Sequence, residues 1–352
     1  MTAPIHAPHA HSGGSVGRVM RQVMYALLPA TLWGFYLFGW PAIWLWITTV
    51  GSAMLFELAC LRLAGRGDRR TLGDGSAALA GWLLALTLPP WSPWWIAVIG
   101  SFAAICVAKH AYGGLGQNPF NPAMVARVAL LISFPLEMTQ WVAPAPLFSG
   151  LGPDPVAALE RLLFATPLPD ALTSATLLGH VKTEASRGVD LLASLAALAP
   201  SAADGFGRHA GSLGETGSGL IVAGGLYLLF RRVITWHIPL AVLAGLALPA
   251  LIAHGVDPAR HLSAHHHLMA GAALLGAFFI ATDLVTSPAT ATGKLVYGFA
   301  IGFLTWVIRS HAGFPEGFAF AVLLMNACVP IIDRFTRPRI YGHGVGEGRG
   351  VQ

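Results

Sequence analysis

Residues 23–60 decide the fold, and they read VMYALLPATLWGFYLFGW followed by PAIWLWITTVGSAMLFELAC. Glu57 is the only charged residue in this stretch. A helix crosses the hydrocarbon core of a bilayer with roughly 20 apolar residues. The stretch is therefore long enough for two consecutive membrane spans, which we predict at 23–40 and 41–60.

The composition of the whole chain supports the same interpretation. The sequence is 55% hydrophobic and only 11% charged, and its mean hydropathy is +0.63. A soluble domain spends about a quarter of its residues on charge, so lipid must be the solvent for much of this chain. The net charge of +5 comes from short basic clusters between apolar runs. Topology signals belong there, and the charge gives no indication of nucleic acid binding.

Further apolar runs follow the first two, so the predicted fold class is an all-α polytopic membrane protein with about ten transmembrane helices. Prolines interrupt three of the runs, and proline breaks helices because it lacks a backbone donor. In a membrane such breaks persist only where protein buries them or where they line a cavity. The remaining candidate spans are 75–90, 94–108, 121–135, 219–230, 237–254, 267–283, 295–309 and 316–332.

The lysines and arginines predict the orientation. With ten spans, every basic cluster next to a span falls on one side of the membrane, together with both termini, and cytoplasmic loops are enriched in Lys and Arg. The clusters include Arg18 with Arg21, and Arg231 with Arg232. This topology divides the chain into a cytoplasmic tail at 1–22, a membrane half at 23–135, a periplasmic loop at 136–218, a second membrane half at 219–333 and a cytoplasmic tail at 334–352.

The long loop separates two halves of five spans each. An odd number of spans per half reverses the direction of entry, which predicts two inverted five-helix repeats with broken helices. Each half carries an irregular, proline-containing segment after its fourth span: QNPFNP at 117–122 and DLVTSP at 283–288. The two halves share no visible sequence identity, so the repeat is inferred from layout alone.

These two irregular segments are candidate ligand sites. Asn118 and Asn121 offer amide side chains beside a chain that cannot form regular helix, as in broken transporter helices that bind ligands. The alternative is a capped loop, because Asn caps helices and Pro begins them. Asp283, with Thr286 and Ser287, leaves the same choice between a cation site and a helix cap.

A few other residues are candidates by type. Glu57 and Arg127 are ionisable residues inside predicted spans, which makes them functional candidates. They could pair with each other or with other groups, or Glu57 could reach water at the basic inner end of its span. The histidine tract at 265–267 favours a solvated loop end over a metal site. The three cysteines form no CxxC pair, so they indicate neither a metal site nor a disulfide framework.

The loop contains the sequence DALTSAT at 170–176. By itself this hydroxyl-rich run is typical of a surface turn. It resembles, however, the Asp-x-x-Thr/Ser-x-Ala-Thr site at which a flavin transferase attaches FMN to threonine through a phosphoester. Thr176 matches the acceptor, and Ser174 stands at a variable position that is often Gly. The other fixed positions are matched by Asp170, Thr173 and Ala175.

Longer blocks extend the resemblance over nearly the whole chain. The stretch YGGLGQNPFNPAMV at 112–125 resembles the signature of the D subunit of the Rnf electron-transport complex. The blocks LLISFP at 130–135, FFIATD at 278–283 and TSP at 286–288 match as well, and so do the residues from Asn326 to Pro330. The B subunit of the sodium-pumping NADH:quinone oxidoreductase is also similar, but it usually carries a longer N-terminal extension.

The resemblance implies an electron-relay subunit of a complex that couples electron transfer between ferredoxin and NAD to movement of sodium ions or protons. It implies covalent FMN at Thr176, on the periplasmic side of a bacterial inner membrane. It also implies a second, non-covalent flavin, riboflavin, near Asn118, Asn121, Asp283 and Thr286. The implied partners are the A, B, C, E and G subunits, with a flavin transferase for maturation. The chain alone is expected to have no turnover.

A flavin-free secondary transporter or channel is the alternative from another functional class. The five-plus-five layout and the broken helices favour it equally well. Only the motif at 170–176 and the family blocks argue against it. Replacing Thr176 separates the two hypotheses, because a transporter would keep its activity.

Overall fold

The computed structural model describes residues 15–65, 73–150, 152–164, 173–187, 194, 209–314 and 316–337. Within these ranges the chain is an all-α polytopic membrane protein, which confirms the predicted fold class. Five helices are long and apolar enough to cross a membrane, and three shorter apolar helices accompany them. Helix faces that point outward carry large apolar side chains such as Leu55 and Ile252, which suit contact with lipid.

The first half begins with one long helical run that is broken near its middle. Helix α1 (Val16–Leu63) has 48 residues, and a straight helix of that length would measure about 72 Å. The hydrocarbon core is only about 30 Å thick. The backbone leaves the helix at Gly39, where φ is +71°, two residues before Pro41. The run therefore contains both predicted spans, 23–40 and 41–60. It is followed by α2 (Ser76–Thr87), α3 (Trp94–Phe102) and α4 (Pro122–Ser133).

The connecting segment between the halves contains short elements. In chain order they are α5 (Pro135–Thr139), β1 (Trp141–Val142), α6 (Pro155–Phe164), β2 (Thr173–Ser174) and α7 (Leu177–Ser186). The two strands pair antiparallel, with Trp141 opposite Ser174. The sequence did not predict them, because two residues are too few to show an alternating pattern. This pairing places Thr173 and Ser174 beside the residues that follow the first half.

The described residues of the second half form six α-helices. They are α8 (Ser218–Phe230), α9 (His237–Val256), α10 (Ala264–Met269), α11 (Ala273–Leu275), α12 (Ala291–His311) and α13 (Phe318–Phe335). The prediction of one continuous span at 267–283 is wrong. The chain turns at Gly271, where φ is +72°, a left-handed conformation that glycine adopts without a steric penalty. Residues Gly276–Ile280 then form a π-helix.

Both halves show the same succession of features around their breaks. A π-helix precedes each break, Ala103–Val107 in the first half and Gly276–Ile280 in the second. A capped helix follows each break: Asn121 caps α4, and the Thr290 hydroxyl accepts from the Gly293 amide at the start of α12. This repeated order agrees with a chain built from two related halves. The inverted orientation of the halves stays a prediction.

The helical body has two ends, the terminus end and the loop end. The terminus end contains residues 15–21, 283–290 and 333–337, and it is joined by the bond from the Ala289 amide to Asp333 Oδ1 (3.1 Å). The loop end contains residues 309–314, residues 316–318 and the connecting elements, joined by the bond from Lys182 Nζ to the Phe314 carbonyl (2.8 Å). Helix α12, with 21 residues, separates the two ends by about 30 Å.

Candidate functional site

The two breaks contact each other near the terminus end. The Asn121 amide nitrogen donates to the Ile280 carbonyl of the second half (3.4 Å), while its oxygen accepts from the Ala123 and Met124 amides (3.1 and 3.3 Å). The helix-cap interpretation of Asn121 is therefore confirmed, and the same side chain also bridges the halves. Asn118 is buried as well, and it donates to the Phe120 carbonyl (3.1 Å).

A third asparagine holds both breaks. With the Asn326 side-chain amide oriented to satisfy its neighbours, its oxygen accepts from the backbone amide of Asn121 (3.0 Å) and from Thr286 Oγ1 (3.2 Å). Its nitrogen donates to Tyr297 Oη (2.8 Å) and to the Val322 carbonyl (2.7 Å). Asn326 lies on α13, far along the chain from either break. Sequence reasoning placed it in a family block but gave it no role at the site.

Asp283 and Thr286 contact each other, as their spacing allows. Thr286 Oγ1 donates to Asp283 Oδ2 (3.1 Å), and the Val285 amide donates to Oδ1 (3.3 Å). These bonds satisfy the Asp283 carboxylate locally, in the manner of a side chain that caps a turn. Asp283 nevertheless lines a cavity, so one of its faces remains available to a ligand.

That cavity, of about 110 Å³, lies between the two breaks at the terminus end. Its walls are mostly apolar, and its polar edge consists of Ser76, Lys109, Asn118, Asn121, Thr282 and Asp283. Apolar walls with a few convergent polar groups suit a flat organic ligand. Pockets for drug-sized ligands start at about 300 Å³, so binding a flavin ring here requires lining side chains such as Met20 and Leu115 to move.

A buried ionic network lies beside this cavity. Lys109 Nζ donates to both Glu57 oxygens (2.8 and 2.9 Å) and to Ser76 Oγ (2.8 Å). His110 Nε2 is 2.9 Å from Glu57 Oε2. Glu57 is only 2% exposed. Of the alternatives for Glu57, pairing with other groups is confirmed. It does not pair with Arg127, and its burial argues against contact with water, so those two expectations are wrong.

Arg127 belongs to the opposite, loop end. It donates to the Thr87 carbonyl, and its guanidinium carbon lies 5.9 Å from the centroid of the Trp141 ring. Trp141 pairs with Ser174 in the strand ladder. The Trp141 side chain therefore connects the buried Arg127 of the first half to β2, the strand that precedes Thr176.

The motif at 170–176 is partly within the described residues. Asp170 lies outside them, Thr173 belongs to β2, and Ala175 is exposed. Thr176 is 8% exposed, and its hydroxyl accepts from the Gly179 amide (3.1 Å). This bond is that of an N-cap, so Thr176 lies at the N-terminus of α7.

Helix α7 is anchored to the second half through Lys182. The ammonium group donates to the carbonyls of Arg309 (3.4 Å), Ala312 and Phe314 (2.8 Å), around the end of α12. Carbonyls at a helix C-terminus lack intrahelical partners and attract cations. Burial lowers the pKa of Lys182. The anchor holds the helix that begins at Thr176 against the loop end.

One histidine of the tract at 265–267 is buried, and two of the three cysteines lie close together. His267 is buried, so the prediction of a solvated loop end is wrong for this residue. Among the described residues, no group of three His, Cys, Asp or Glu side chains could hold a metal ion. Cys60 and Cys106 are far apart in sequence, yet their Sγ atoms lie 3.4 Å apart as free thiols.

Comparisons with known proteins identify a family and several relatives of this chain. The model of the NQR2, RnfD, RnfE family matches residues 4–342. The chain is 54% identical over 331 residues to the D subunit of the ion-translocating oxidoreductase complex of Stutzerimonas stutzeri, covering 93% of this chain and 92% of that protein. It is 48% identical over 342 residues to the protein of the same name from Halorhodospira halophila, covering 97% and 96%. The Rhodobacter capsulatus protein is 49% identical over 308 residues, covering 88% and 86%.

Proposed function

Because this chain belongs to the NQR2, RnfD, RnfE family, we propose that it is the D subunit of a bacterial ion-translocating oxidoreductase complex, with FMN attached to Thr176. Its partners would be the A, B, C, E and G subunits of an Rnf complex in the inner membrane. The loop that carries Thr176 would face the periplasm. The complex as a whole would couple electron transfer to movement of sodium ions or protons.

The position of Thr176 at the start of α7 is the observation that carries this proposal. A helix N-terminus presents free amides and a partial positive charge, which stabilise a phosphate group. A phosphoester on Thr176 Oγ1 would lie in that field, near the amide of Gly179. Flavin bound there would accept and release electrons at the loop end. The Lys182 anchor would limit how far the attachment point can move.

Attachment requires the N-cap to open first. The bond that forms joins Thr176 Oγ1 to the FMN phosphorus, and the bond that breaks is the pyrophosphate of a flavin dinucleotide donor. Adenylate leaves, and the hydroxyl proton goes to a base of the flavin transferase. Ser174 and Ala175 are exposed, whereas Thr176 is buried. The transferase must therefore draw residues 174–176 away from the body before it can reach the hydroxyl.

Thr176→Ala is expected to abolish covalent flavin, because the alanine offers no hydroxyl for a phosphoester. The measurement is flavin fluorescence of the denatured chain in an SDS gel, after expression with a flavin transferase that labels a control substrate. Ser174→Ala is the matched control, since it removes the exposed hydroxyl two residues away and should leave the band intact. A band that persists in Thr176→Ala and vanishes in Ser174→Ala would move the attachment site to Ser174. A dark wild-type band would favour the flavin-free transporter.

A second, non-covalent flavin in the cavity between the breaks is part of the same proposal. The cavity combines apolar walls, including Phe278 and Phe279, with the amides of Asn118 and Asn121. The Asn118 amide can both donate to and accept from the polar edge of an isoalloxazine ring, and Asn121 has one N–H left to donate, because its oxygen already accepts from two backbone amides. The bond from Asn121 to Ile280 would hold the two sides of the cavity in place.

We expect Asn118→Leu to lower the amount of flavin that acid or organic solvent extracts from the purified protein, because it removes a polar group at the cavity edge. The SDS-stable fluorescence should be unchanged in this variant. Size-exclusion chromatography of Asn118→Leu and wild type separates loss of the ligand from loss of the fold. Equal extractable flavin in Asn118→Leu and wild type would contradict a flavin at this cavity.

A further inference from the structure

The segment that precedes α8 returns deep into the protein at the loop end. Residues 210–218 are all buried, and the Gly214 amide donates to the Leu86 carbonyl at the end of α2 (2.9 Å). This segment brings Glu215, 5% exposed, to the boundary between the two halves. A carboxyl group buried at such a place needs hydrogen-bond partners, a counter-charge or a bound proton, because burying an uncompensated charge is costly.

Glu215 is held by hydrogen bonds from two segments. Its Oε2 accepts from the Ser212 amide (3.1 Å) and lies 3.4 Å from Ser212 Oγ. The backbone amide of Gly271 donates to the same carboxyl group. The next amide, that of Ala272, donates to Oε1 of a second glutamate, Glu316 (2.7 Å). Two consecutive backbone amides therefore hold two carboxyl groups close together.

Gly271 makes this arrangement possible. Its φ is +72°, and a Cβ added there would lie 2.5 Å from both Arg309 Nη2 and Glu316 Oε1. Any side chain would separate the arginine from the glutamate. The glycine therefore serves the packing of these two charged groups as well as the turn.

Two arginines, one from each half, complete the cluster. Arg309 donates to Glu316 Oε1 (3.2 Å) and to the His267 and Ala270 carbonyls (2.6 and 3.1 Å). The Arg309 side chain is 1% exposed, and its Nε has no hydrogen-bond partner among the described residues. Arg127 of the first half lies close enough to both glutamates for their charges to interact.

A small cavity adjoins this cluster. It measures about 20 Å³, and its polar lining comes from Thr87, Arg127, Ser212 and Glu316. A cavity of about 10–15 Å³ holds one water molecule when polar partners surround it. The cavity is large enough for such a molecule, and Arg127, Ser212 and Glu316 offer it hydrogen-bond partners. Glu316 itself is 24% exposed at its side chain, which gives the cluster a route to solvent.

We propose that Glu215 and Glu316 form a proton-exchange site in which Glu215 holds a proton and Glu316 connects it to solvent. A proton leaves the Glu215 carboxyl for the Ser212 hydroxyl, which lies 3.4 Å from Glu215 Oε2, and the hydroxyl gives its own proton to a water in the cavity. That water gives a proton to the Glu316 carboxylate, and Glu316 releases it to bulk water. Only O–H bonds break and form, and no electron is transferred. The site itself does not depend on flavin. Its use during electron transfer rests on the proposed function, because Lys182 docks α7 on the carbonyl of Arg309.

The electrostatic surroundings agree with a proton on Glu215. Burial raises the pKa of Glu215, and the negative charge of Glu316 raises it further. His209 and the hydrogen bonds from Ser212 and Gly271 oppose this shift. The other charged groups that face the pair are Arg127 and Arg309.

Infrared spectroscopy of the purified full chain tests the proposal directly, since a protonated carboxyl has a C=O stretch that a carboxylate lacks. We expect wild type to show such a band at neutral pH and Glu215→Gln to lose it. Glu160→Gln, which changes an exposed carboxyl on α6, should keep the band. Exchange of potassium for sodium should leave it unchanged.

The same experiment contains the results that would overturn the proposal. A wild-type band that Glu215→Gln does not diminish would show that Glu215 is ionised. A band that appears only when sodium is removed would make the pair a sodium site. If Glu215→Gln does not fold, Glu316→Gln decides: removing the neighbouring negative charge should move the titration midpoint of the Glu215 band to lower pH. An unmoved midpoint would contradict the coupling. In-gel flavin fluorescence, recorded on every variant, reports separately on the covalent flavin.

Discussion

Replacing Glu57 with glutamine lowers the free energy of unfolding by about 3–5 kcal/mol, the cost of leaving a buried charge without its partner. The Lys109 ammonium lies 2.8 and 2.9 Å from the two Glu57 oxygens and is almost completely buried. A glutamine at 57 keeps the size of the side chain but loses the negative charge. Lys109 would then keep only neutral acceptors, the amide oxygen of the glutamine and Ser76 Oγ, and its charge would be uncompensated.

The measurement is the thermal unfolding of the purified protein in detergent. The readout is the fraction of protein that stays monodisperse after heating. The double variant Glu57→Gln with Lys109→Met is the matched control, because removing both charges removes the uncompensated one. Replacing a whole buried pair is often close to neutral, so the double variant should be more stable than either single variant. Stabilities that simply add would show that the two charges do not stabilise each other.

Gly302→Ala is expected to be the most destabilising one-carbon change in the second half. An added Cβ would overlap the Val242 carbonyl of α9 and lie 2.7 Å from the Leu246 amide. The reverse contact is equally close, because a Cβ on Gly245 would overlap the Phe299 carbonyl of α12. Small residues let membrane helices approach to backbone contact. The alanine would push α9 and α12 apart, and overpacking of this kind costs about 1–3 kcal/mol or more.

Gly51→Ala is the matched control for this experiment. Gly51 lies inside α1, and nothing stands within 4 Å of an added Cβ. Alanine favours helix over glycine by about 1 kcal/mol, so Gly51→Ala should match or exceed wild type in thermal stability. Gly302→Ala should melt lower than both. Equal melting of the two variants would show that α9 and α12 do not depend on close contact at this position.

The membrane architecture could be predicted from the sequence because it depends on local composition. A run such as 41–60 is apolar over its whole length, and the bilayer selects for that property without reference to distant residues. The breaks at 117–122 and 283–288 could be located for the same reason, since proline acts on its own neighbours. The failure at 267–283 has a local cause too: Gly271 introduces a left-handed turn that apolar composition does not reveal.

The partners at the candidate site could not be predicted, because they come from distant parts of the chain. Glu57 pairs with Lys109, which is 52 positions away in the sequence, and Asn121 bonds to Ile280, which is 159 positions away. Asn326 joins both breaks from α13, yet its own surroundings in the sequence are an ordinary apolar helix. A polar residue within an apolar run is the only signal that could have singled it out.

The burial of Glu215 could not be predicted from the sequence either. It lies in a stretch rich in Gly and Ser that the sequence assigns to an outer loop. Loops usually run over the surface, so nothing local predicts its burial. The structure buries it because Gly214 bonds to the end of α2 and Gly271 offers an amide. The motif at 170–176 was found only through resemblance, and the structure adds the N-cap position of Thr176.

The mass of the tryptic peptide at 162–182, taken from wild-type protein expressed with an active flavin transferase, tests the central claim most directly. Cleavage after Arg161 and Lys182 isolates the motif, and fragmentation separates Thr176 from Ser174 and Thr173. We predict an added mass equal to FMN less one water, located on Thr176. An unmodified peptide, from protein made beside a transferase that labels its control substrate, would contradict the claim that this chain is a flavin-carrying subunit.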